Sequence, residues 1–285
     1  MSDRPVGSPD ERSGFQQKKK VLEAIRRGQE PLWHDPRRGF VFDPTVDEAL
    51  RSMQEESLRL NTPLSLIIDE SHYDQEILRR GLITLVYEVG EMGIDTEMDP
   101  MNLVERLGAA LSELVSIVLG GNPEPIEDLA GRLGVSPVVL SIIGGSLLQP
   151  SMIHMASQCG REYLDAWELT VCPVCGRLPS VAVKSEEEVW RFRCSYCWAE
   201  YKMDVFACPH CGSAGAENKE FLLVGESQEF EVASCKECGR YYKIINRARL
   251  KEPVPEGLED LYTEVLDEIA HGRGLTRLDE AAPEG

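Results

Sequence analysis

The chain has 285 residues, 42% hydrophobic and 28% charged, with a formal net charge of −19 and a pI near 4.7. That length and balance fit an ordinary globular protein with a sizeable core and two domains. The acidity argues against a nucleic-acid partner, because phosphate contacts need a basic face.

In chain order, Met1 to Gly14 is polar and lacks the apolar core of a signal peptide, which predicts a loose lead-in to a cytoplasmic protein. Most clustered basic residues follow early (Lys18, Lys19, Lys20, Arg26, Arg27, Arg37, Arg38). Residues 15–30 read as a short basic helix ended by Pro31 and Pro36. Val46, Leu50, Met53 and Leu60 recur at helical spacing. Tyr73 to Val89 is a stronger helix, with Ile77, Leu78, Leu82, Leu85, Val86 and Val89 as a wide apolar face. Asp99-Pro100 reads as an N-cap and first-turn proline, opening one helix that runs to Gly120-Gly121. A short helix covers Ile126 to Leu133. Another starts at Ser136-Pro137 and stops before Pro150, and a last one covers Ser151 to about Leu169, with Cys159 on its apolar stripe. No apolar run reaches the length needed to span a membrane.

At Val171 the pattern changes to strands. Leu178–Lys184 and Val189–Arg193 form a hairpin around an acidic turn at Glu186-Glu187-Glu188, and Ala199–Ala207 is a further strand. Phe221–Val224 and Glu229–Ala233 form a second hairpin around Gly225, followed by a strand at Tyr241–Ile245. Both halves thus repeat one plan. Pro253 and Pro255 mark a linker to a final helix carrying Leu258, Leu261, Tyr262, Val265, Leu266 and Ile269, with Gly272 and Gly274 at its end and a loose tail beyond. The expected fold is α+β: an all-α N-terminal domain, a small β-rich tandem rubredoxin- or zinc-ribbon-like metal module, and a C-terminal helix. The expected divisions are 1–45 (poorly ordered, basic), 46–170 (helical), 171–248 (metal module) and 249–285 (helix and tail).

Eight of the nine cysteines form four Cys-x-x-Cys pairs: Cys172/Cys175, Cys194/Cys197, Cys208/Cys211 and Cys235/Cys238. Each such turn presents two thiolates to one metal ion, and two turns complete a tetrahedral shell. Eighteen residues separate Cys175 from Cys194 and 23 separate Cys211 from Cys235, each enough for one returning hairpin. Only ten lie between Cys197 and Cys208. Sequential pairing is therefore the economical reading, with a cross-braced arrangement as the alternative. Gly176, Gly212 and Gly239 follow the second cysteine of three pairs, where positive φ lets backbone N–H groups face sulfur. Trp198 stands in that place in the other pair and predicts a less regular turn. Four-thiolate coordination suits a single zinc or iron ion, and ligand type does not separate them. Paired Cys-x-x-Cys turns without an export signal favour reduced, metal-bound thiols over disulfides. Residues 171–248 hold ten Lys and Arg against eleven Asp and Glu, and each zinc–thiolate site adds about −2. His210 reads as a solvated turn residue, and His34, His72, His154 and His271 have no companion at ligand spacing. No phosphate-binding glycine loop, nucleophile elbow or zinc-protease helix is present, which points away from an enzyme.

The run Val171-Cys-Pro-Val-Cys-Gly-Arg-Leu-Pro-Ser, then Trp190-Arg-Phe-Arg-Cys-Ser-Tyr-Cys-Trp-Ala-Glu-Tyr, resembles the FdhE-type formate dehydrogenase accessory proteins. So does the closing Cys235-Lys-Glu-Cys-Gly-Arg-Tyr-Tyr-Lys-Ile, with Leu266-Asp267, Gly274 and Arg277 beyond it. The resemblance is strong over residues 171–280 and extends to the helical half in type only. It implies a cytoplasmic, non-catalytic assembly factor for a formate dehydrogenase containing molybdenum or tungsten. Such a factor contacts the catalytic subunit and carries rubredoxin-like sites associated with iron. Two readings of other classes remain beside it: a zinc-ribbon module for nucleic acid or transcription, and a rubredoxin-like electron-transfer protein.

Overall fold

In the computed structural model, residues 9–34, 46–91, 94, 98–121, 124–185, 187, 189–224 and 228–280 are described. The expectations placed on Met1 to Ser8, Pro36 to Arg38, Glu186, Glu188, Gly225 and the last five residues lie outside them. The helices are α1 (Pro9–Gly28), α2 (Glu30–His34), α3 (Val46–Leu60), α4 (Gln75–Glu91), α5 (Pro100–Ala109), α6 (Leu111–Gly120), α7 (Glu124–Leu133), α8 (Pro137–Gln158), α9 (Arg161–Ala166), α10 (Glu259–Tyr262) and α11 (Glu264–His271). The strands are β1 (Val181–Lys184), β2 (Trp190–Arg193), β3 (Glu200–Lys202), β4 (Lys219–Val224), β5 (Phe230–Cys235), β6 (Arg240–Asn246) and β7 (Thr276–Arg277). The class is α+β, helical first and β-rich after residue 180. Contacts divide the chain into two units, residues 1–42 with 69–151, and residues 43–68 with 152–285.

The first unit is a helical bundle. Its core includes the stripe the periodicity marks on α4 (Leu78, Leu82, Leu85, Val86, Val89), with Leu103 and Leu107 of α5, Leu111 and Leu114 of α6, and Leu140 and Ile143 of α8 buried as well. Three expectations change. Helix α1 begins at Pro9, not near residue 15; a proline's fixed φ suits the first turn of a helix. The helix from Pro100 breaks at Ala110 (φ −105, ψ 14), whose N–H is shared between the carbonyls of Arg106 and Leu107. And α8 passes straight through Pro150. A proline there cannot donate to the Ser146 carbonyl one turn back. The buried Gln29 side chain donates to that carbonyl instead, Nε2 to O at 2.7 Å, so the helix continues without an orphaned acceptor. The continuous 22-residue helix is long and apolar enough to cross a membrane, unlike the separate runs read from sequence, but more than half of its apolar stretch is buried in the protein.

The second unit is built on a seven-stranded sheet in the order β3-β2-β1-β6-β5-β4, with β7 also pairing β6. Each half is an antiparallel three-strand meander, and the two join through parallel β1 and β6, Val181 opposite Lys243 and Lys184 opposite Asn246. The repeated plan read from the sequence therefore closes into one sheet. One cluster packs Val181, Val183 and Ile245 with Leu250 and Val254; another packs Val232 and Tyr241 with Leu266 and Ala270 of α11. The C-terminal helix is interrupted at Thr263, whose hydroxyl donates to the Glu259 carbonyl at 2.8 Å, giving α10 and α11. Lys243, in the middle of β6, is fully buried: its Nζ donates to the Asp260 carbonyl at 2.8 Å and to Asp267 Oδ2 at 2.7 Å. Arg277 Nη2 reaches Asp260 at 3.0 Å, and Tyr241 donates to Asp267 at 2.9 Å. Those pairs clasp the C-terminal segment to the sheet.

Candidate metal centres

All four Cys-x-x-Cys turns share one backbone design. The N–H of the residue after the second cysteine donates to the carbonyl of the first: Gly176 to Cys172 (2.9 Å), Trp198 to Cys194 (3.0 Å), Gly212 to Cys208 (3.0 Å) and Gly239 to Cys235 (2.9 Å). That closure requires the left-handed region, and the four φ values are 71, 65, 71 and 67. Trp198 thus adopts the glycine conformation, and its turn is as regular as the others, contrary to the expectation. Its indole lies against Gly257 (φ +75), where a Cβ would come within 2.4 Å of Cζ2. Contact with that glycine holds the tryptophan in a conformation it would otherwise avoid.

The turns meet in chain order. Cys172, Cys175, Cys194 and Cys197 form one cluster and Cys208, Cys211, Cys235 and Cys238 the other, the sulfurs of each all within 4.8 Å of one another. The contacts cross over: Cys172 to Cys197 and Cys175 to Cys194 at 3.4 Å, Cys208 to Cys238 and Cys211 to Cys235 at 3.7 Å. A tetrahedron with Zn–S bonds of about 2.3 Å has sulfur–sulfur edges of about 3.8 Å, so both clusters can hold a metal ion. Cys159, the ninth cysteine, stays apart, buried just past the end of α8 with its thiol donating to the Met155 carbonyl and pushed up to about 12 by burial. His210 is exposed.

The surroundings of the two centres differ. In the first, burial pushes the Cys172 and Cys197 thiols well above the ordinary range, while hydrogen bonds from the neighbouring thiols, Cys172 foremost, push Cys194 well below it. Its first turn is roofed by the segment after α3: Leu64 N–H donates to the Pro173 carbonyl (2.9 Å) and Ser65 N–H to the Val174 carbonyl (2.8 Å). Tyr163 also donates to the Pro173 carbonyl, at 2.9 Å, and Ser57 meets the Tyr163 hydroxyl at 2.7 Å. Its second turn is held by buried Arg193, which donates to the Trp198 carbonyl (2.5 Å) and pairs with Glu256 (3.0 Å). In the second centre, burial pushes Cys238 up to about 12. Burial also opposes ionisation of Cys235, but the backbone N–H groups of Cys238 and Glu237, with the Cys208 and Cys211 thiols, outweigh it and bring that thiol down to about 7. Lys219, buried opposite Cys235 in the β4–β5 ladder, brings a positive charge to that side.

Sequence reasoning missed these supporting residues. In the sequence Tyr163 recurs at helical spacing with Cys159 and Trp167, which reads only as core, whereas the structure breaks that run between α8 and α9. Ser65 and Gly257 carry no local signal, because each acts on a turn distant in the chain, and Arg193, beside Cys194, reads only as an ordinary strand residue.

One unit that is a helical bundle, and another whose sheet carries two four-cysteine clusters, define a metal-binding, zinc-ribbon-like α+β protein. No protein-family model matches the chain. It is 28% identical over 202 residues to the "Protein FdhE homolog" of Aquifex aeolicus, covering 70% of this chain and 66% of that one. It is 31% identical over 201 residues to "Protein FdhE" of Escherichia coli O127:H6, covering 65% and 61%. These matches thus span less than two thirds of the relatives' lengths. The crystal structure of the FdhE protein from Pseudomonas aeruginosa superposes with a TM-score of 0.56 at 17% identity, over 95% of this chain and 96% of that one, and so shares its fold. The chain is thus similar in sequence to FdhE proteins and shares the fold of one of them.

Proposed function

We propose that this chain is a non-catalytic accessory protein for the maturation of a formate dehydrogenase that carries molybdenum or tungsten, acting in the cytoplasm by binding the catalytic subunit. Each cluster, Cys172/Cys175/Cys194/Cys197 and Cys208/Cys211/Cys235/Cys238, holds one iron or zinc ion. The observation that carries this reading is the agreement of sequence kinship with FdhE proteins and a shared fold, on a chain that brings eight cysteines into two tetrahedral sets. A bound metal would tie turns that are otherwise joined only by hydrogen bonds, and so fix the sheet as a rigid docking body. Arg193, Tyr163 and Gly257 hold the turns in place for it.

Affinity capture from a host that makes such an enzyme is expected to recover a formate dehydrogenase catalytic subunit with the full-length chain. Recovery of ribosomes or polymerase alone would sink the proposal and favour the nucleic-acid reading, which the net charge of −19 already opposes. The exposure of Cys211 favours one second reading, electron transfer through an iron-loaded second centre. Ferric thiolate sites absorb visible light and zinc sites do not, so the spectrum of the aerobically purified protein separates the two.

A further inference from the structure

The two clusters share ligand type and turn geometry but not access. All four cysteines of the first are buried, Cys172 and Cys197 with no exposed surface at all. A cleft of about 450 Å³ has Cys197 in its wall, yet does not uncover that residue. In the second cluster Cys208 and Cys235 are buried, Cys238 is half-buried and Cys211 is exposed. The turn glycines show the same contrast independently. A Cβ built on Gly176 would meet Pro63 at 3.4 Å, whereas one on Gly212 or Gly239 would meet nothing within 4 Å. The first centre is roofed by protein, and the second opens to solvent through the Cys211 turn.

Replacement of one thiolate by another on a four-coordinate ion needs room for the incoming sulfur and a ligand free to swing away. Only the second centre offers both. Resting on the reading that each cluster holds a metal ion, we propose that Cys211 makes the second centre a ligand-exchange site for a low-molecular-weight thiol, while the first keeps all four of its ligands. In the exchange, the incoming thiol's sulfur bonds the metal as the metal–Cys211 bond breaks. The proton lost by that thiol ends on Cys211. No electron moves, and the charge of the centre is unchanged.

The test uses the full-length chain loaded with zinc, a chromophoric chelator in excess, and 2-mercaptoethanol at rising concentration. One equivalent of zinc is expected to leave with a rate that climbs with thiol concentration and exceeds that of the other by about tenfold or more, following thiolate access. Pulse alkylation with iodoacetamide, read by mass spectrometry, identifies the site without any variant: Cys211 is expected to label before Cys172, Cys175, Cys194 and Cys197. Equal, thiol-independent release of both equivalents, or labelling of Cys175 as early as Cys211, overturns the proposal while leaving the metal reading intact. A chain that takes up no zinc overturns the metal reading, and this inference with it.

Discussion

Trp198 shows how one residue can satisfy a backbone rule by means that its own neighbourhood in the sequence does not reveal. The turn asks for positive φ, glycine supplies it at the other three pairs, and a large side chain in that region is costly by roughly 1–2 kcal/mol. The indole offsets that cost by packing on Gly257. Replacing Gly257 should therefore do double damage. Gly257→Ala places a Cβ 2.4 Å from the ring and forces an L side chain to φ +75. It is expected to lower stability by about 2–4 kcal/mol, read by urea denaturation. Gly212→Ala meets the same φ strain in open space and should cost only about 1–2 kcal/mol. Equal losses in the two variants would show that the indole contact contributes nothing. The cysteine spacing was fully legible because four covalently fixed pairs need only hairpins to meet. The roof over the first centre was not, because Ser65 and Gly257 lie far along the chain from the turns they cover.

At the scale of elements, periodicity located the helices and strands, and the errors fall at breaks. Pro150 reads as a stop when only its neighbours are considered; Gln29, remote in sequence, removes the reason to stop. Ala110 and Thr263 interrupt helices whose apolar spacing continues unbroken across them, so pattern alone cannot see the break. The clasp between β6 and the C-terminal helices was equally hidden, since a lysine in a strand reads as solvent-facing. Its energetics are pH-dependent in a definite direction. Burial pushes the Asp260 carboxyl up, but Lys243 and Arg277 outweigh burial and leave it below the usual carboxylate range. A depressed folded pKa means stabilisation that is complete above the unfolded value of about 3.9 and is lost as pH falls through the folded value. The clasp should hold at pH 5 and above and weaken below about pH 4. Hydrogen exchange over residues 258–278 should therefore speed up in that acid window, and Asp260→Asn should remove part of the pH dependence. An unchanged slope in the variant would mean that other groups govern acid release.

For the whole molecule, the decisive asymmetry is that one unit carries all nine thiols and the other has none. Residues 69–151 contain no cysteine, and their buried leucines and valines form a core that needs no metal. The sheet unit is different. Its turns close around sulfur, its halves are joined by the single parallel pairing of β1 and β6, and the segment after α3 hydrogen-bonds to the first turn. Structural zinc contributes about 10 kcal/mol or more in small domains, comparable to the whole stability of a typical fold. Without it, the turns are held by hydrogen bonds alone. Stripping the metal with a strong chelator at pH 7 should thus abolish the near-ultraviolet signal of the aromatic residues packed in the sheet, Phe192, Tyr201 and Tyr242 among them. Most of the far-ultraviolet helical signal should survive. Because β1 and β6 are shared, Cys172→Ser is expected to weaken the hold on metal at the second centre as well as the first. An apo protein with unchanged aromatic and proteolytic signatures would show that the sheet stands without its metal. Loss of only one equivalent in Cys172→Ser, with the other held at wild-type affinity, would show instead that the parallel join does not couple the two centres.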